Sequence, residues 1–398
     1  MARALLIADD LTGAMDGGVQ FAQAGIPARI WTDVEAMTPP EGDGVYAVNT
    51  ETRHLPPEQA AEAVADVCRR AASWGFAYYI KKTDSALRGR IGAELAAMCR
   101  TLGREQTVFV PAWPENGRTT RDGVQYLRSV PLHESSVGRD AFDPVLQTNI
   151  ADILTKDVSL PVCLRRPGQA PAPSGVTVYD GETRRELHQT AQTVLPLAEQ
   201  AVCAGCAGFC EELTALPGLP VCRSGGNAPP LGRVLLVSGS LHPTSAAQTR
   251  YAAQVLGYPA LPLPATLYAA DFAGEQAAAL TAQGASLLDR EGRLLLAARS
   301  RGPADAEAAA YTAGHLGALA ASLLAGADTL VVFGGDTAMG ILRALGPCRL
   351  DPVCQISPGV VYARLRACGR QINFVSKAGS LGPQDVVARV EAFLKTSV

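Results

Sequence analysis

Charged and polar side chains cluster in the segment KKTDSALRGR (81–90), directly after the apolar run FAYYI (76–80). Such a run predicts a β-strand, so Lys82, Asp84 and Arg88 are expected at its carboxyl end. Carboxylates accept hydrogen bonds from hydroxyl groups, and an arginine can hold a carboxylate through two parallel hydrogen bonds. The segment is therefore typical of a site for a small hydroxylated anion.

Two further predicted strands of the N-terminal half end in similar chemistry. The run ALLIA (4–8) leads into Asp9 and Asp10, and TVFVPA (107–112) leads into a segment that contains Arg118. Ligands of open α/β sheets bind outside the carboxyl ends of the strands. The N-terminal half therefore predicts one site for a small polyhydroxylated anion.

Predicted strands of the C-terminal half end instead in glycines and hydroxyl residues. The segments are Ser238-Gly239-Ser240, Gly334-Gly335-Asp336-Thr337 and Gly379-Ser380. Glycine lets backbone N–H groups approach a phosphate closely, and hydroxyl groups add hydrogen-bond donors. A nucleotide site is therefore expected here, although the Walker pattern GxxxxGK[ST] is absent.

Length and composition set the broad class. The chain has 398 residues, which predicts two domains at roughly 100–200 residues per domain. Hydrophobic residues make up 47% and charged residues 18%, which is enough for packed cores and unlike a disordered chain. The net charge of −3 provides no basic field for nucleic acid and no polybasic patch for a membrane. Two aspartates interrupt the first apolar run, so neither a signal peptide nor a membrane span is predicted, and a cytoplasmic location is expected.

Short apolar runs alternate with Ala-rich helical stretches, a pattern typical of an α/β fold. The Gly/Pro-rich segment 223–232 is expected to be the linker. The chain is therefore predicted to form an N-terminal domain over 1–225 and a C-terminal domain over 233–398, both with mostly parallel sheets. We expect Thr12 to cap the first helix and the proline-containing segment 159–175 to be a loop.

Three of the ten cysteines, Cys203, Cys206 and Cys210, fall in the segment CAGCAGFC. A zinc or iron–sulfur site requires further ligands at usable spacing, and no second CxxC occurs. Free cysteine packs as a small hydrophobe, so the segment favours an apolar helix face over a metal centre. The sequence alone therefore identifies no metal ligand.

Three other enzyme classes lack their motifs. The GxSxG pattern of serine hydrolases does not occur. HESS (133–136) does not match the HExxH of zinc proteases. DDLTGAMDGG (9–18) does not match the GxGxxG of dinucleotide-binding dehydrogenases.

Several motifs in order resemble the four-carbon acid sugar kinase family, and the resemblance covers nearly the whole chain. In the N-terminal half the motifs are ADDLTGAMD (8–16), KKTDSALRGR (81–90), VPAWPENGRTTRDGVQY (110–126) and PLHESSVGRDAFDPV (131–145). In the C-terminal half they are VSGSLHPTSAAQ (237–248), FGGDTAMGILRALG (333–346) and SKAGSLGPQD (376–385). Several ordered motifs are together far more specific than any one of them.

The resemblance implies an ATP-dependent kinase that phosphorylates a four-carbon sugar acid such as threonate, erythronate or 3-oxo-tetronate. It implies that the N-terminal domain binds the acid and the C-terminal domain binds the nucleotide, with the active site in the cleft between the domains. ATP is expected as its magnesium complex. The alternative is a non-catalytic protein of the same fold that binds sugar acids or nucleotides.

The resemblance and the strand-end pattern also indicate site residues. Those expected to line the acid site are Asp9, Asp10, Lys82, Asp84, Ser85, Arg88 and Arg118. Those expected to bind the nucleotide are Ser238, Gly239, Ser240, Gly334, Gly335, Asp336, Thr337, Gly379 and Gly382. Arg88 or Lys82 is expected to hold the substrate carboxylate. Asp10 or Asp84 is expected to orient or deprotonate the accepting hydroxyl, so Asp10, Asp84 and Arg88 are the expected catalytic residues.

The sequence departs from the family pattern at five positions. Ala86 and Arg90 stand where the family has Thr and Asn. Asp336 replaces a Glu, and Ser380 and Leu381 replace Gly and Phe. The resemblance leaves open which acid is used, which hydroxyl is phosphorylated, which residue is the base and how many chains assemble, with a homodimer as the working expectation.

Overall fold

The computed structural model describes residues 2–139, 144–222, 229–272, 274–299, 306–346, 348–367, 369–379 and 381–396. The chain forms two compact units, Met1–Arg223 and Ser224–Val398, and the predicted α/β class is confirmed. The first part of the predicted linker, 223–228, lies outside the described residues, as does Ser380. The exact domain boundaries therefore stay a prediction.

The N-terminal unit alternates strands and helices along most of its length. Its elements are β1 (Arg3–Ala8), α1 (Leu11–Gln23), β2 (Ala28–Trp31), β3 (Gly44–Asn49), α2 (Pro57–Ala71), β4 (Tyr78–Lys82), α3 (Ile91–Leu102), β5 (Gln106–Val110), β6 (Arg118–Arg121), β7 (Val124–Leu127), β8 (Val130–Pro131), α4 (Ile150–Thr155), β9 (Val162–Arg165), β10 (Gly175–Tyr179), α5 (Arg184–Val194), β11 (Val202–Gly205) and α6 (Ala207–Glu212).

The strands of this unit form a parallel sheet in the order β2-β3-β1-β4-β11-β5-β10-β9. Ala8 pairs with Asn49 of β3 and with Lys82 of β4, while Gly205 pairs with Lys82 and with Val110 of β5. Five adjacent strands therefore end at the same level of one edge. A small antiparallel sheet, β6-β7-β8, follows β5 in the chain.

Helix α1 lies close to the sheet because it carries glycines where it faces the strands. A Cβ atom on Gly17 would lie 2.9 Å from Leu6 Cδ1 and 3.5 Å from Lys82 Cδ. The helix begins two residues earlier than predicted, because Asp10 rather than Thr12 is its cap. The Asp10 carboxylate accepts a hydrogen bond of 2.6 Å from the Gly13 amide, the usual role of an N-cap aspartate.

The C-terminal unit has a similar alternation followed by a hairpin. Its elements are β12 (Val234–Ser238), α7 (Pro243–Gln254), α8 (Gly274–Glu291), β13 (Arg293–Ala297), α9 (Ala306–Leu323), β14 (Thr329–Phe333), α10 (Gly335–Leu345), β15 (Arg349–Ser357), β16 (Val360–Ala367), β17 (Arg370–Lys377) and α11 (Val386–Thr396).

The strands of the C-terminal unit follow the order β13-β12-β14-β17-β16-β15. The first four are parallel, whereas β16 is antiparallel to both of its neighbours. Ser238 pairs with Phe333, and Phe333 pairs with Lys377. The three glycine-bearing segments of the sequence therefore follow three adjacent parallel strands at one edge.

Among the described helices, only the stretch Ala308–Gly326 is long and apolar enough to cross a membrane, with a hydropathy of 1.3. In the fold, this helix packs tightly on α10. A Cβ atom on Gly317 would lie 2.3 Å from the carbonyl carbon of Gly340. A core helix of a soluble protein passes the same test of length and composition, so this helix is weak evidence for a membrane span.

Besides the cap of α1, three sequence predictions of local structure are wrong. Strand β4 continues to Lys82 instead of ending at Ile80, so the charged Lys82 forms the last rung of a buried strand. The segment predicted as a loop contains β9. The cysteine segment is not one helix face, because Cys203 lies in β11 whereas Cys210 lies in α6, although both are buried.

Candidate active site

Asp9 and Asp10 follow β1 and share the guanidinium group of Arg53. Arg53 Nε lies 2.8 Å from Asp9 Oδ2, and Arg53 Nη1 lies 2.5 Å from Asp10 Oδ2. Arg53 follows β3, the neighbour of β1 in the sheet, and its amide donates to the Asp9 carbonyl at 3.3 Å. The carboxylates of Asp9 and Asp10 thus form ion pairs with one guanidinium group at the edge of the sheet.

Asp84 and Arg88 form a second ion pair in the loop after β4. Arg88 Nε lies 2.6 Å from Asp84 Oδ2. Leu87 adopts a φ of 59°, a left-handed conformation that is rare for a bulky residue and that turns the chain sharply before Arg88. A Cβ atom on Gly89 would lie 3.3 Å from Asp9 Oδ2, so this loop packs directly against the first ion pair.

Lys82 and Asp16 lie beside these pairs. A Cβ atom on Gly13 would lie 3.6 Å from Lys82 Nζ and 2.7 Å from Asp10 Oδ1, which places the ammonium beneath the first turn of α1. Lys82 Nζ donates to the Thr83 carbonyl at 2.8 Å. Among the described residues, the Asp16 side chain has no hydrogen-bond or ion-pair partner within bonding distance.

Burial alone raises the pKa of each carboxyl group at this edge, but two groups are held ionised by cations. For Asp9, the charges of Arg53 and Lys81 outweigh burial and hold the pKa below its ordinary value. For Asp84, Arg88 and Arg53 outweigh burial and hold the pKa well below its ordinary value. Both side chains are therefore carboxylates at neutral pH.

The remaining two carboxyl groups have raised pKa values. Burial, assisted by the neighbouring charge of Asp9, raises the pKa of Asp10. Burial raises the pKa of Asp16 to about 6, and the charges of Asp10 and Asp84 add to this effect while Lys82 opposes it. Asp16 therefore combines an unpaired carboxylate with a pKa close to neutral pH.

Arg118 is the half-buried arginine at this edge without a carboxylate partner. Its Nη1 donates to the Asn116 carbonyl at 2.8 Å, and its Nε atom is buried with no hydrogen-bond partner. Burial lowers the pKa of Arg118, while the charge of Asp84 nearby opposes that shift. Among the described residues, no carboxylate forms an ion pair with Arg118, so its guanidinium can accept an anionic ligand.

A buried polar network lies behind the ion pairs. Lys81 Nζ lies 3.1 Å from Glu94 Oε2, and both side chains are almost fully buried. The Thr52 hydroxyl donates to the other Glu94 oxygen, and it lies 2.8 Å from the Thr50 hydroxyl. Because Thr52 precedes Arg53, this network fixes the segment that carries the shared guanidinium.

Ser85 and Arg90, which the sequence also singled out, lie in or against the loop that carries Asp84. Ser85 is half-buried and follows Asp84 in the same loop. The Arg90 side chain donates from Nε to the Leu55 carbonyl at 3.0 Å and approaches Asp157 at 4.0 Å. Arg90 therefore braces the loop from behind, whereas Ala86, the other departure in this segment, is buried.

The three glycine segments of the C-terminal unit converge on one another. A Cβ atom on Gly239 would lie 2.2 Å from Thr337 Oγ1, and one on Gly379 would lie 2.6 Å from Ser240 Oγ. A Cβ atom on Gly334, whose φ is 108°, would lie 3.2 Å from Thr337 Oγ1. Glycine is required at these positions because the three segments approach within contact distance.

Helix α10 presents free backbone amides at this convergence. Gly334 is its N-cap and provides no side chain to bond the first-turn N–H groups. The first intrahelical bond is donated by Ala338, so the amides of Gly335, Asp336 and Thr337 find no acceptor among the described residues. An uncapped helix N-terminus of this length binds anions such as phosphate.

Few potential metal ligands lie at the carboxyl-end edge of the sheet in either unit. Among the described residues, no group of three or more His, Cys, Asp or Glu side chains is arranged to hold a metal ion. The Asp336 carboxylate and the Thr337 hydroxyl lie in the first turn of α10, beside the free amides. These two oxygens could supplement a cation whose other ligands are water and phosphate.

Two residues of this site were missed in the sequence. Arg53 lies four residues beyond β3, whose carboxyl end is at the same edge, so extending the strand-end rule to the next loop would have found it. Asp16 lies inside the motif ADDLTGAMD and within α1, three residues after Gly13. Its position one turn beyond Gly13 was the available signal.

Models of two domain families match the chain. The sugar-binding N-terminal domain matches residues 4–213, and the nucleotide-binding C-terminal domain matches residues 235–387. The two matches fall in the two compact units, and each covers most of its unit.

Curated relatives align along nearly the whole chain. A D-threonate kinase of Bordetella bronchiseptica is 31% identical over 96% of this chain and 95% of its own length. A D-erythronate kinase of Heliobacterium modesticaldum is 26% identical over 100% of this chain and 98% of its own length. A 3-oxo-tetronate kinase of Methylobacterium radiotolerans is 26% identical over 96% of this chain and 97% of its own length.

Two solved structures share the fold. A protein of Salmonella typhimurium LT2 superposes with a TM-score of 0.82 and 21% identity, covering 98% of this chain and 99% of the other. A Haemophilus influenzae protein superposes with a TM-score of 0.74 and 20% identity, covering 98% and 100%. At these identities the similarity establishes the fold alone.

Proposed function

Because the chain belongs to the four-carbon acid sugar kinase family, we propose that it transfers a phosphoryl group from ATP to a hydroxyl of threonate, erythronate or 3-oxo-tetronate. The observation that carries this proposal is the alignment with kinases of these acids over 96–100% of the chain. The alignment spans both units, which supports a protein that binds both reactants. We assign the acid to the N-terminal unit and the nucleotide to the C-terminal unit.

The acid site is proposed at the edge that carries the two ion pairs. Arg118 would bind the substrate carboxylate, because it is the arginine there without a carboxylate partner. The sequence had favoured Arg88 or Lys82 for this role. Arg88 is instead paired with Asp84, and the Lys82 ammonium is bonded to a backbone carbonyl.

The ion pairs would orient the hydroxyl groups of the acid. Carboxylate oxygens of Asp9, Asp10 and Asp84 have lone pairs beyond those used by their arginines, and sugar hydroxyls can donate to them. Ser85 lies in the same loop and can add a further hydrogen bond. Holding the acid in one orientation is a large part of catalysis in phosphoryl transfer, since the protein does little covalent chemistry.

Asp16 is the proposed base that takes the proton of the accepting hydroxyl. Asp84 is a weak base because two arginines hold its pKa low, and the Asp10 carboxylate caps α1 and pairs with Arg53. Asp16 has a free carboxylate and a pKa of about 6. A base of this strength is mostly ionised at pH 7.5 and still accepts a proton well.

The nucleotide site is proposed where the three glycine segments converge. Gly239, Gly334 and Gly379 would allow the phosphates to approach the backbone, and the first-turn amides of α10 would bind their oxygens. Ser238, Ser240, Thr337 and Gly382 complete this set of residues.

Magnesium would arrive as the complex with ATP. The described residues hold no three-ligand metal group, which fits a cation that keeps most of its ligands as water and phosphate. Asp336 and Thr337 would supply the protein oxygens. The cation would neutralise charge on the transferred phosphoryl group.

Acid-dependent release of ADP tests the proposed function. Purified protein is incubated with ATP, magnesium and each four-carbon acid, and ADP is measured by a coupled assay. We expect one or two acids to raise ADP release far above the rate without acid. Binding of an acid without any ADP release would instead favour a non-catalytic binding protein. A cytoplasmic location and a homodimer are proposed alongside and are checked by cell fractionation and by light scattering.

A further inference from the structure

Lys377, the last residue of β17, is a buried lysine that has no carboxylate partner among the described residues. Its side chain is only 2% exposed. Its ammonium lies within hydrogen-bond distance of four oxygens: the Ser245 hydroxyl at 3.2 Å and the carbonyls of Ala378, Gly379 and Leu381 at 2.9, 3.0 and 3.1 Å. The Phe333 ring lies against it, with 4.6 Å from Nζ to the ring centroid.

This ammonium cannot serve as a phosphate ligand. An ammonium has three donors, and the four surrounding oxygens occupy all of them. Three backbone carbonyls that follow Lys377 in the chain, those of Ala378, Gly379 and Leu381, accept hydrogen bonds from its ammonium. The positive charge of Lys377 therefore acts on these backbone carbonyls and not on a ligand.

The direction of the carbonyl groups that face Lys377 determines the direction of the backbone N–H groups that follow them. In a planar trans peptide, the N–H of a residue points opposite to the C=O of the residue before it. Because the Ala378 and Leu381 carbonyls face the ammonium, the N–H groups of Gly379 and Gly382 face away from it. Neither N–H group donates to an acceptor among the described residues.

Helix α7 supports the same loop from the other side. The Ser245 hydroxyl donates to the Gly379 carbonyl at 2.7 Å. Gln248 Nε2 lies 3.1, 3.0 and 2.9 Å from the carbonyls of Leu381, Gly382 and Pro383. The side chains of Ser245, Gln248 and Lys377 thus form hydrogen bonds with backbone carbonyls that lie on one side of this segment.

We propose that Lys377 is a positioning residue whose ammonium gathers the carbonyls of Ala378, Gly379 and Leu381, so that the Gly379 and Gly382 amides are presented to the nucleotide phosphates. The proposal rests on the nucleotide role given above to the C-terminal unit. Without the charge, the clustered carbonyls repel one another and the two amides lose their common direction.

The charge has a limited pH range, because burial lowers the pKa of Lys377 to about 8. The titratable or charged groups of α7 are Arg250, Tyr251 and its N-cap His242, and those of α10 are Asp336 and Arg343. Before and within α11 they are Asp385, Arg389, Glu391 and Lys395, of which Asp385 pairs with Arg389 and Glu391 with Lys395. None of them forms an ion pair or hydrogen bond with Lys377 among the described residues. Loss of the ammonium proton should therefore loosen the loop as the pH rises through about 8.

The test measures the Kd of ADP from pH 7.5 to 9.5 by calorimetry, a range in which the terminal phosphate, with a second pKa of about 6, stays ionised. For the wild-type protein we expect the Kd to rise roughly 20-fold, in proportion to the loss of the charged form. Lys377→Met should bind ADP weakly at every pH, without this dependence. Lys395→Met changes an exposed lysine of the same unit and should retain the wild-type profile.

Three results would decide against the inference. A wild-type Kd that stays constant over this range contradicts it, and this measurement does not depend on whether Lys377→Met folds. A Lys377→Met protein with wild-type affinity and pH profile also contradicts it. If the wild-type protein binds no ADP at all, the proposed nucleotide site itself is wrong, and the inference falls with it.

Discussion

The chemistry of the acid site depends on which charged side chains are already paired. Asp9 and Asp10 share Arg53, and Asp84 holds Arg88. Asp9 and Asp84 are held ionised by their arginines, and carboxylates fixed in this way suit the orienting of a ligand. Among the described residues, Asp16 and Arg118 lack ion-pair partners, and we therefore propose that Asp16 exchanges a proton and that Arg118 binds an anion.

Replacing Asp16 by asparagine should remove the base. We expect kcat to fall by about 10²- to 10⁴-fold, the usual contribution of a general base, while the KM for ATP stays unchanged. The wild-type kcat/KM should decline as the pH falls through about 6, where Asp16 becomes protonated. In a pH–rate profile, the kcat/KM of Asp16→Asn should not show this decline at low pH.

Stability separates this role from a structural one. A carboxyl group whose pKa is raised on folding destabilises the folded protein once it ionises, here as the pH rises from about 4 to about 6. Asp16→Asn should therefore unfold at higher temperature than wild type at pH 7.5. Asp66→Asn, on the exposed face of α2, is the matched control with unchanged kinetics. A fully active Asp16→Asn protein would exclude Asp16 as the base.

Replacing Arg118 by alanine should weaken acid binding. Truncating one partner of a buried charge pair costs about 2–5 kcal/mol, so the KM for the acid should rise roughly 30-fold or more. The KM for ATP should not change. Steady-state kinetics with the preferred acid measures both constants.

A neutral analogue and a neighbouring arginine make this test specific. The four-carbon polyol that lacks the carboxylate should be a poor ligand for wild type, and Arg118→Ala should discriminate little between polyol and acid. Arg121→Ala changes an exposed arginine of the same strand that stacks on Tyr126 and should behave as wild type. Full discrimination by Arg118→Ala would assign the carboxylate to another residue.

At the scale of elements, function depends on adjacent parallel strands that end together. In the C-terminal unit, β12, β14 and β17 are neighbours, so three segments distant in sequence meet at one edge. Gly239 is the tightest of these contacts, because a Cβ atom there would lie 2.2 Å from Thr337 Oγ1. The two segments can meet only while this position has no side chain.

Gly239→Ala should therefore push the segment after β12 away from the first turn of α10. We expect the KM for ATP to rise by about tenfold or more, with acid binding measured by calorimetry unchanged. Gly314→Ala is the matched control: the added methyl group meets no atom within 4 Å, and alanine favours helix α9 by about 1 kcal/mol. Equal KM values for ATP in Gly239→Ala and wild type would remove this contact from the nucleotide site.

Strand-end chemistry was predictable because it is local in the sequence. Apolar runs followed by Asp, Lys, Arg or Gly located β1, β4, β12, β14 and β17, and the α/β class followed from their alternation with helices. Which charged groups pair with which could not be predicted, since Arg53 meets Asp9 and Asp10 only through strand order. The strand β9 was missed because the prolines around it indicate a loop.

Burial was the other property that sequence could not supply. Lys377 was visible only as a lysine near glycines, and its place inside the loop depends on α7 packing against that loop. The free state of Asp16 depends likewise on where the neighbouring cations point. The roles proposed for Lys377 and Asp16 therefore depend on the hydrogen-bond donors and acceptors that the fold places around them.

At the scale of the whole molecule, the two units carry complementary chemistry. Within the part of the chain that the structure describes, the N-terminal unit combines an arginine and a carboxylate that have no ion-pair partner with two ion-paired clusters, which suits a small hydroxy acid. The C-terminal unit combines close-packed glycines with free helix amides, which suits phosphates. We propose that the function requires both units in one chain, the N-terminal unit for the acid and the C-terminal unit for the nucleotide.

Mass spectrometry of the acids after incubation with the protein, ATP and magnesium tests this account most directly. The panel contains both enantiomers of threonate and erythronate together with 3-oxo-tetronate. The account predicts a product heavier by one phosphoryl group for one or two of these acids, formed by wild type and nearly absent with Asp16→Asn. If no acid gains a phosphoryl group while the protein still binds one of them, the chain binds sugar acids without phosphorylating them, and the account is wrong.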